Sequence, residues 1–329
     1  MYYGERKTGC RFIEVLFYGI QTLIIENSKM RAMILVGRGL NLISYVQKES
    51  DTEFVWTNPM GLSCIGKTRN GYMDKFAPSD NYAGGCFGIF PNVGNECEID
   101  GIHFPNHSET AYLPWNYQVL KDEKECMVFE FTVKLSKYPV IIHKTLEITD
   151  DSPALKFVEK IKNIGGADLP YLWGIHPYIG EPFLNKDCIV EAPFLESIKF
   201  PDCGDNNNSF EIYNVNNGFA DVRNPASGVG FGVSWDSNVF TNCAIWISSG
   251  NAIGHHRLGG TYGLAILPMN SRCFGLDNAV KNGECQILKA NEECTVWYTF
   301  TSFNIGYKPS MITKDGDLIN NNTENDYDI

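Results

Sequence analysis

The sequence is poor in most of the features that assign a function quickly. Its eleven cysteines, Cys10 to Cys294, include no C-x-x-C pair. Thiols scattered in this way make neither a disulfide framework nor a zinc site of recognised spacing. The expectation is a reduced, cytoplasmic protein with small buried thiols and no metal. Cations are scarce too: 27 Lys and Arg stand against 39 Asp and Glu, a net charge of −12 with no basic run. Phosphate backbones need clustered cations, so nucleic acid is not expected as a partner. No apolar stretch is long enough to cross a bilayer, so no membrane partner is expected either. The apolar stretch Phe12 to Ile25 is broken by Glu14, Gly19 and Gln21 and has no small-residue cleavage site. It reads as folded chain and not as a signal peptide.

Sustained helical periodicity is also missing. Nowhere does an i, i+3, i+4, i+7 pattern outlast two turns, and Gly228, Gly230 and Gly232 precede no helix that could cradle a phosphate. No serine or cysteine sits in a recognisable nucleophile motif, which leaves a hydrolase triad without support. The triplets Asn106-His107-Ser108 and Asn321-Asn322-Thr323 match a glycosylation acceptor by chance in a cytoplasmic chain.

What is present is alternation of period two. Met127, Phe129, Phe131, Val133 and Leu135 share one face of a strand, and Val140, Ile142, Leu146 and Ile148 share another. Asp150-Asp151-Ser152-Pro153 turns the chain, and Leu155 to Ile164 resumes the pattern. Further strands are expected at 21–25, 32–36, 42–47, 188–191, 229–235, 243–247, 264–267 and 295–303. With 43% hydrophobic and 13% aromatic residues, the fold class is all-β: a large antiparallel β-sandwich. No linker interrupts it, so residues 1–307 are expected to form one domain and 308–329 a polar, acidic tail that is frayed or lies on the surface. Thr57 to Ala83 and Asp202 to Asn208 read as long loops, the first of a length usually associated with function.

The most informative stretch is Trp173-Gly174-Ile175-His176-Pro177-Tyr178-Ile179-Gly180. Histidine exchanges a proton near neutral pH, and an adjacent aromatic offers a flat apolar surface, so the segment suits a pocket for a small polar ligand such as a sugar. A second histidine lies in Pro105-Asn106-His107-Ser108-Glu109, ahead of Leu113-Pro114-Trp115. Gly84-Gly85-Cys86-Phe87-Gly88-Ile89-Phe90-Pro91-Asn92 comes before both. In this order the segments resemble the galactose mutarotase-like (aldose 1-epimerase) superfamily across roughly residues 20 to 300. Arg38 to Ser44 and Leu288 to Glu293 also look like stretches of that family.

The resemblance implies a supersandwich whose open face binds a hexose, with no cofactor. It implies that a glutamate takes the proton of the anomeric hydroxyl while a histidine protonates the ring oxygen. His176 matches the acid, and His107 matches a loop histidine that contacts sugar hydroxyls. One departure stands out. Where the family carries Glu-Pro on a late strand, this chain reads Ala265-Ile266-Leu267-Pro268. Leucine takes no proton, and loss of a general base costs about 10²- to 10⁴-fold in rate. Glu109, two residues past His107, is the first candidate replacement and Glu181 the second, with Asp236 and Asp277 weaker. Asn92 and Asn270 are candidate partners for sugar hydroxyls, and Arg69 is one from the long loop. Tyr178 and Trp246 offer stacking surfaces, as does Trp173, although core packing is the commoner fate of tryptophan. His103 and His143 read as structural. His255-His256 would point to opposite faces of a strand and lack a third ligand.

Two functions are therefore expected: an aldose 1-epimerase-like isomerase with an altered base, or a catalytically silent sugar-binding or sensing protein on the same scaffold. A third, a carbohydrate lyase or hydrolase, rests on fold analogy alone.

Overall fold

The computed structural model describes residues 6–58, 83–202, 208–250, 261–306 and 308–320. The alternating segments form three large antiparallel sheets. Numbered in chain order, the first holds β1 (Arg11–Phe17), β2 (Ile20–Glu26), β3 (Met30–Leu35), β4 (Asn41–Gln47) and β5 (Thr52–Glu53), paired in that sequence. A six-stranded sheet is built from β6 (Phe87–Ile89), β14 (Gly174–His176), β15 (Tyr178–Gly180), β18 (Ser209–Asn214), β21 (Asn242–Ser249) and β22 (Tyr262–Met269). Its order is β18-β21-β22-β14-β6, with β15 also lying along β22.

The nine-stranded sheet runs through β17 (Leu195–Lys199), β16 (Ile189–Ala192), β19 (Phe219–Asn224), β20 (Val229–Trp235) and β24 (Glu293–Asn304). It continues through β12 (Leu155–Asn163), β11 (Val140–Thr149), β10 (Cys126–Lys134) and β9 (Asn116–Asp122). Three ribbons complete the strands: β7 (Cys97–Ile99) with β8 (Ile102–Phe104), β13 (Leu169–Tyr171) with β23 (Gln286–Leu288), and β25 (Met311–Ile312) with β26 (Leu318–Ile319). Helix α1 (Leu276–Asn282) has two turns and ends on Gly283, whose φ of 69° accepts the left-handed cap. The architecture is the expected all-β sandwich.

Period-two burial decides which face of each strand is inside. β10 buries Met127, Phe129, Phe131 and Val133, and β11 buries Val140, Ile142, Leu146 and Ile148. Each such side chain contributes about 1.5–3 kcal/mol by leaving water. The inward row of β11 also contains Lys144, which faces Glu159 of β12 in direct register. Their Nζ and Oε2 lie 2.7 Å apart with both side chains almost fully buried. Trp173 Nε1 donates to Glu159 at 2.9 Å and Tyr298 OH at 3.3 Å, while Lys144 sits over the rings of Trp115 and Tyr298. Gly88 of β6 closes this pair from the other sheet. A Cβ there would lie 3.0 Å from the ammonium nitrogen, so the missing side chain lets the two layers meet.

Residues 308–320 do not fray. Their β25–β26 ribbon docks on the nine-stranded sheet, with Ile312 buried, Ser234 Oγ donating to Thr313 O at 2.9 Å, and Thr299 Oγ1 donating to Lys314 O at 2.6 Å. Among the described residues no helix is long and apolar enough to cross a membrane, and no cluster of side chains is arranged to hold a metal.

Candidate functional site

Register puts His176, Tyr178, Leu267 and Trp246 on one face of the six-stranded sheet. His176 pairs with Phe87 across β14–β6. On the other edge of that chain segment, Gly174 pairs with Met269 and Tyr178 with Ala265. These two pairs share one register, which sets Leu267 opposite His176. Ala244 of β21 lies beyond Leu267. One row across the sheet therefore reads Phe87, His176, Leu267, Ala244. The adjacent row reads Tyr178, Ala265, Trp246. Because Ala265 is small, Tyr178 and Trp246 stack over it, their centroids 5.5 Å apart and their planes at 29°.

Within this face, His176 lies flat on Phe87, 5.0 Å between centroids and 5° between planes. His107 meets His176 edge-on at 5.1 Å, and Tyr178 is 5.8 Å from it. Trp56, on the segment that follows β5, packs edge-on against Tyr178 at 5.1 Å. Gly84 and Gly180 make room for its ring, since a Cβ at either would come within 2.5 Å of Trp56 atoms.

The loop holding His107 is bound to the Gly-rich segment. His107 N donates to Gly94 O at 2.9 Å, and Gly94 N donates to His107 Nδ1 at 3.2 Å. With Nδ1 accepting, the proton of the neutral ring is on Nε2. His107 and Ser108 both have positive φ, 56° and 66°. Ser108, with ψ 177°, occupies a region almost confined to glycine. Its hydroxyl is buried without a hydrogen-bond partner.

His176 is 1% exposed. Burial first, and the neighbouring His107 second, hold its imidazole well below the usual histidine range. The ring is therefore neutral at physiological pH.

The carboxylates are elsewhere. Glu109 is fully buried, and its two oxygens accept from Ser136 N at 3.2 Å, from Lys137 N at 3.0 Å and from Ser136 Oγ. It holds the turn between β10 and β11, and that structural task replaces its reading as the base. Glu181 is exposed, at the exit of β15. Asp236 caps its own turn through Asn238 N, and Asp277 lies in the first turn of α1. Asn92 is likewise committed. Its Nδ2 donates to Asn95 O and Pro105 O, and its Oδ1 accepts from Leu276 N, which ties the His107 loop to α1. The expected contact of Asn92 with sugar gives way to this clamp. Trp173 is buried on the ion pair. Arg69, His255 and His256 lie outside the described residues.

Phe87 and Trp56 are the site residues that the sequence reading missed. Phe87 stood inside the Gly-rich segment singled out above, but only register shows that it carries His176.

By sequence, no family profile and no curated protein matches the chain. Comparison with solved structures is decisive for the architecture. A "putative aldose 1-epimerase" from Klebsiella pneumoniae superposes with TM-score 0.71 at 15% identity, over 87% of this chain and 80% of that one. The fold is that of the galactose mutarotase-like proteins. A galactose mutarotase-like protein from Clostridium acetobutylicum gives TM-score 0.64 at 11% identity, covering 90% of this chain and 99% of its own. A galactose mutarotase related enzyme from Lactobacillus acidophilus gives 0.58 at 15%, covering 86% and 97%. At such identities the likeness extends to the mutarotase-like fold and to nothing finer.

Proposed function

We propose that this protein binds a neutral sugar on the His176 face of its mutarotase-like fold without efficiently exchanging anomers. The observation that carries the reading is Leu267, in register with His176 where a proton acceptor would be needed. Ring opening requires an acid and a base acting on one small substrate. Here the imidazole is neutral, the facing side chain is aliphatic, and Glu109 is occupied by Ser136 and Lys137. The stacked Tyr178–Trp246 pair supports sugar binding, because an aromatic surface receives the apolar face of a pyranose. The names of the structural neighbours point to the same ligand class.

The test pairs calorimetry on a panel of aldoses with polarimetry on freshly dissolved α-glucose and α-galactose. Binding with no acceleration of mutarotation is the expected result; acceleration by the wild-type chain refutes it. One observation favours the alternative of an active epimerase. His107 and His176 lie 5.1 Å apart, close enough for one imidazole to replace the carboxylate as base. In that case the acceleration disappears in both His107→Gln and His176→Gln.

A further inference from the structure

The face that carries His176 does not end at Trp246. Trp246 of β21 pairs with Phe210 of β18, the edge strand of the six-stranded sheet. Directly paired residues project to the same side, so the row of Tyr178, Ala265 and Trp246 continues to Phe210. A spacing of about 4.8 Å between strands puts Phe210 about one pyranose ring beyond Trp246. The neighbouring row likewise runs on from Leu267 and Ala244 to Ile212. On β18, β21 and β22 the side chains of this face include no charged group.

Phe210 is 47% exposed, yet its ring is supported. Phe274, on the segment between β22 and α1, meets it edge-on, 5.0 Å between centroids and 85° between planes. Phe274 in turn lies against Gly94, where a Cβ would come within 2.1 Å of its ring. Gly94 is the residue whose N–H holds His107 Nδ1. A buttressed series of contacts therefore runs from the imidazole pair to the sheet edge. Asn208, two residues before Phe210, is exposed too. Its Oδ1 accepts from Ser249 N at 2.9 Å, which orients the amide and leaves Nδ2 as a donor. Edge strands are ordinarily blunted by charge, and a large apolar ring left open there invites aggregation unless it meets a ligand. A flat ring beside an oriented amide suits a pyranose, which presents an apolar face and a rim of hydroxyls.

We infer that the ligand of this face is a chain of at least two neutral pyranose units, the first over Tyr178 and Trp246 and the second stacked on Phe210. The first position is the one proposed above for a sugar, and the second depends on it. The lack of charge along these rows selects neutral units over uronic acids and sugar phosphates. The single-strand step from Trp246 to Phe210 selects units joined directly over two separate sugars. Asn208 Nδ2 donates to a hydroxyl of the second unit. A monosaccharide fills the first position and forgoes the Phe210 contact.

The test is calorimetry on the whole chain, with glucose and galactose set against maltose, cellobiose and lactose. At least one disaccharide is expected to bind about tenfold tighter than its component monosaccharides. In Phe210→Ala the two affinities converge, in Phe210→Tyr they stay apart, and Asn208→Ala narrows the gap about threefold. If Phe210→Ala does not fold, the wild-type comparison and Asn208→Ala carry the test. Monosaccharides and disaccharides that bind the wild type equally overturn the second position and leave the first. A disaccharide advantage that persists in Phe210→Ala overturns the assignment to Phe210. Sedimentation of the sugar-free protein covers the competing use of this edge. A dimer that Phe210→Ala dissociates, with no disaccharide advantage, gives the ring to a contact between two copies and overturns the subsite. Failure of every sugar to bind removes both positions.

Discussion

Leu267→Glu tests the central argument most directly. The substitution puts a carboxylate opposite His176, at a cross-strand Cβ separation of about 4.5–5.5 Å. Leu267 is 3% exposed. Removing it from the core costs about 1.5–3 kcal/mol, and burying a carboxyl adds about 1–3 kcal/mol unless it is paired. A loss of about 2.5–6 kcal/mol is therefore expected in urea unfolding, less whatever the new pair restores. The carboxylate also changes His176. An opposite charge at this range favours the imidazolium, against the burial that now suppresses it, so the titration of His176 moves back up. With an acid and a base on one face, mutarotation of bound aldose should rise by about 10²- to 10⁴-fold. Imidazole NMR reads the titration and polarimetry reads the rate. The decisive observation is the titration, because it depends on geometry alone. A folded Leu267→Glu protein in which His176 titrates as in the wild type shows that the two side chains do not face each other.

Three further outcomes follow from the same structure. Glu159→Gln leaves the Lys144 ammonium buried without its counter-ion, and should destabilise by about 3–5 kcal/mol in denaturant unfolding; a change below about 1 kcal/mol shows that the pair is dispensable. Ser108→Gly relieves a conformation that costs about 1–3 kcal/mol in a non-glycine residue and removes an unpartnered hydroxyl, so it should raise Tm, and a lower Tm contradicts the assigned strain. His176 is neutral in the fold and gains a proton more readily when unfolded. Stability is complete above about pH 6.5 and declines on acidification by up to about 1.4 kcal/mol per pH unit until the folded ring titrates; a His176→Phe variant should lose this part of the slope, and equal slopes refute it.

Much of the sheet structure was legible from alternation alone. β20 matches its expected bounds to the residue, β11 contains the expected Val140, Ile142, Leu146 and Ile148, and β10, β12 and β22 extend or shift theirs by a few positions. The resemblance called for a glutamate where this chain carries Leu267, and register sets that leucine opposite His176. What stayed hidden was non-local. Glu109 read as a base because His107 is its neighbour in sequence, whereas its partners lie at 136 and 137, in the connection between β10 and β11. Asn92 is engaged by a residue 184 positions away. Lys144 interrupts an otherwise apolar row, as Glu159 does between Phe157 and Ile161, but pairing across strands is needed to see each as the answer to the other. Trp297 and Val158, paired on the outer surface of the same sheet, show that apolar residues also occupy its solvent side.

Gly88 above the Lys144–Glu159 pair has a consequence for how the chain finds its alignment. A slip of β6 by one residue would drive the bulk of Phe87 or Ile89 onto the two charges and turn the platform under His176 inward. Such a misaligned intermediate would be rejected by sterics and desolvation together. The charged pair thus acts as a key cut for one glycine, and assembly of the His176 face is proofread from behind.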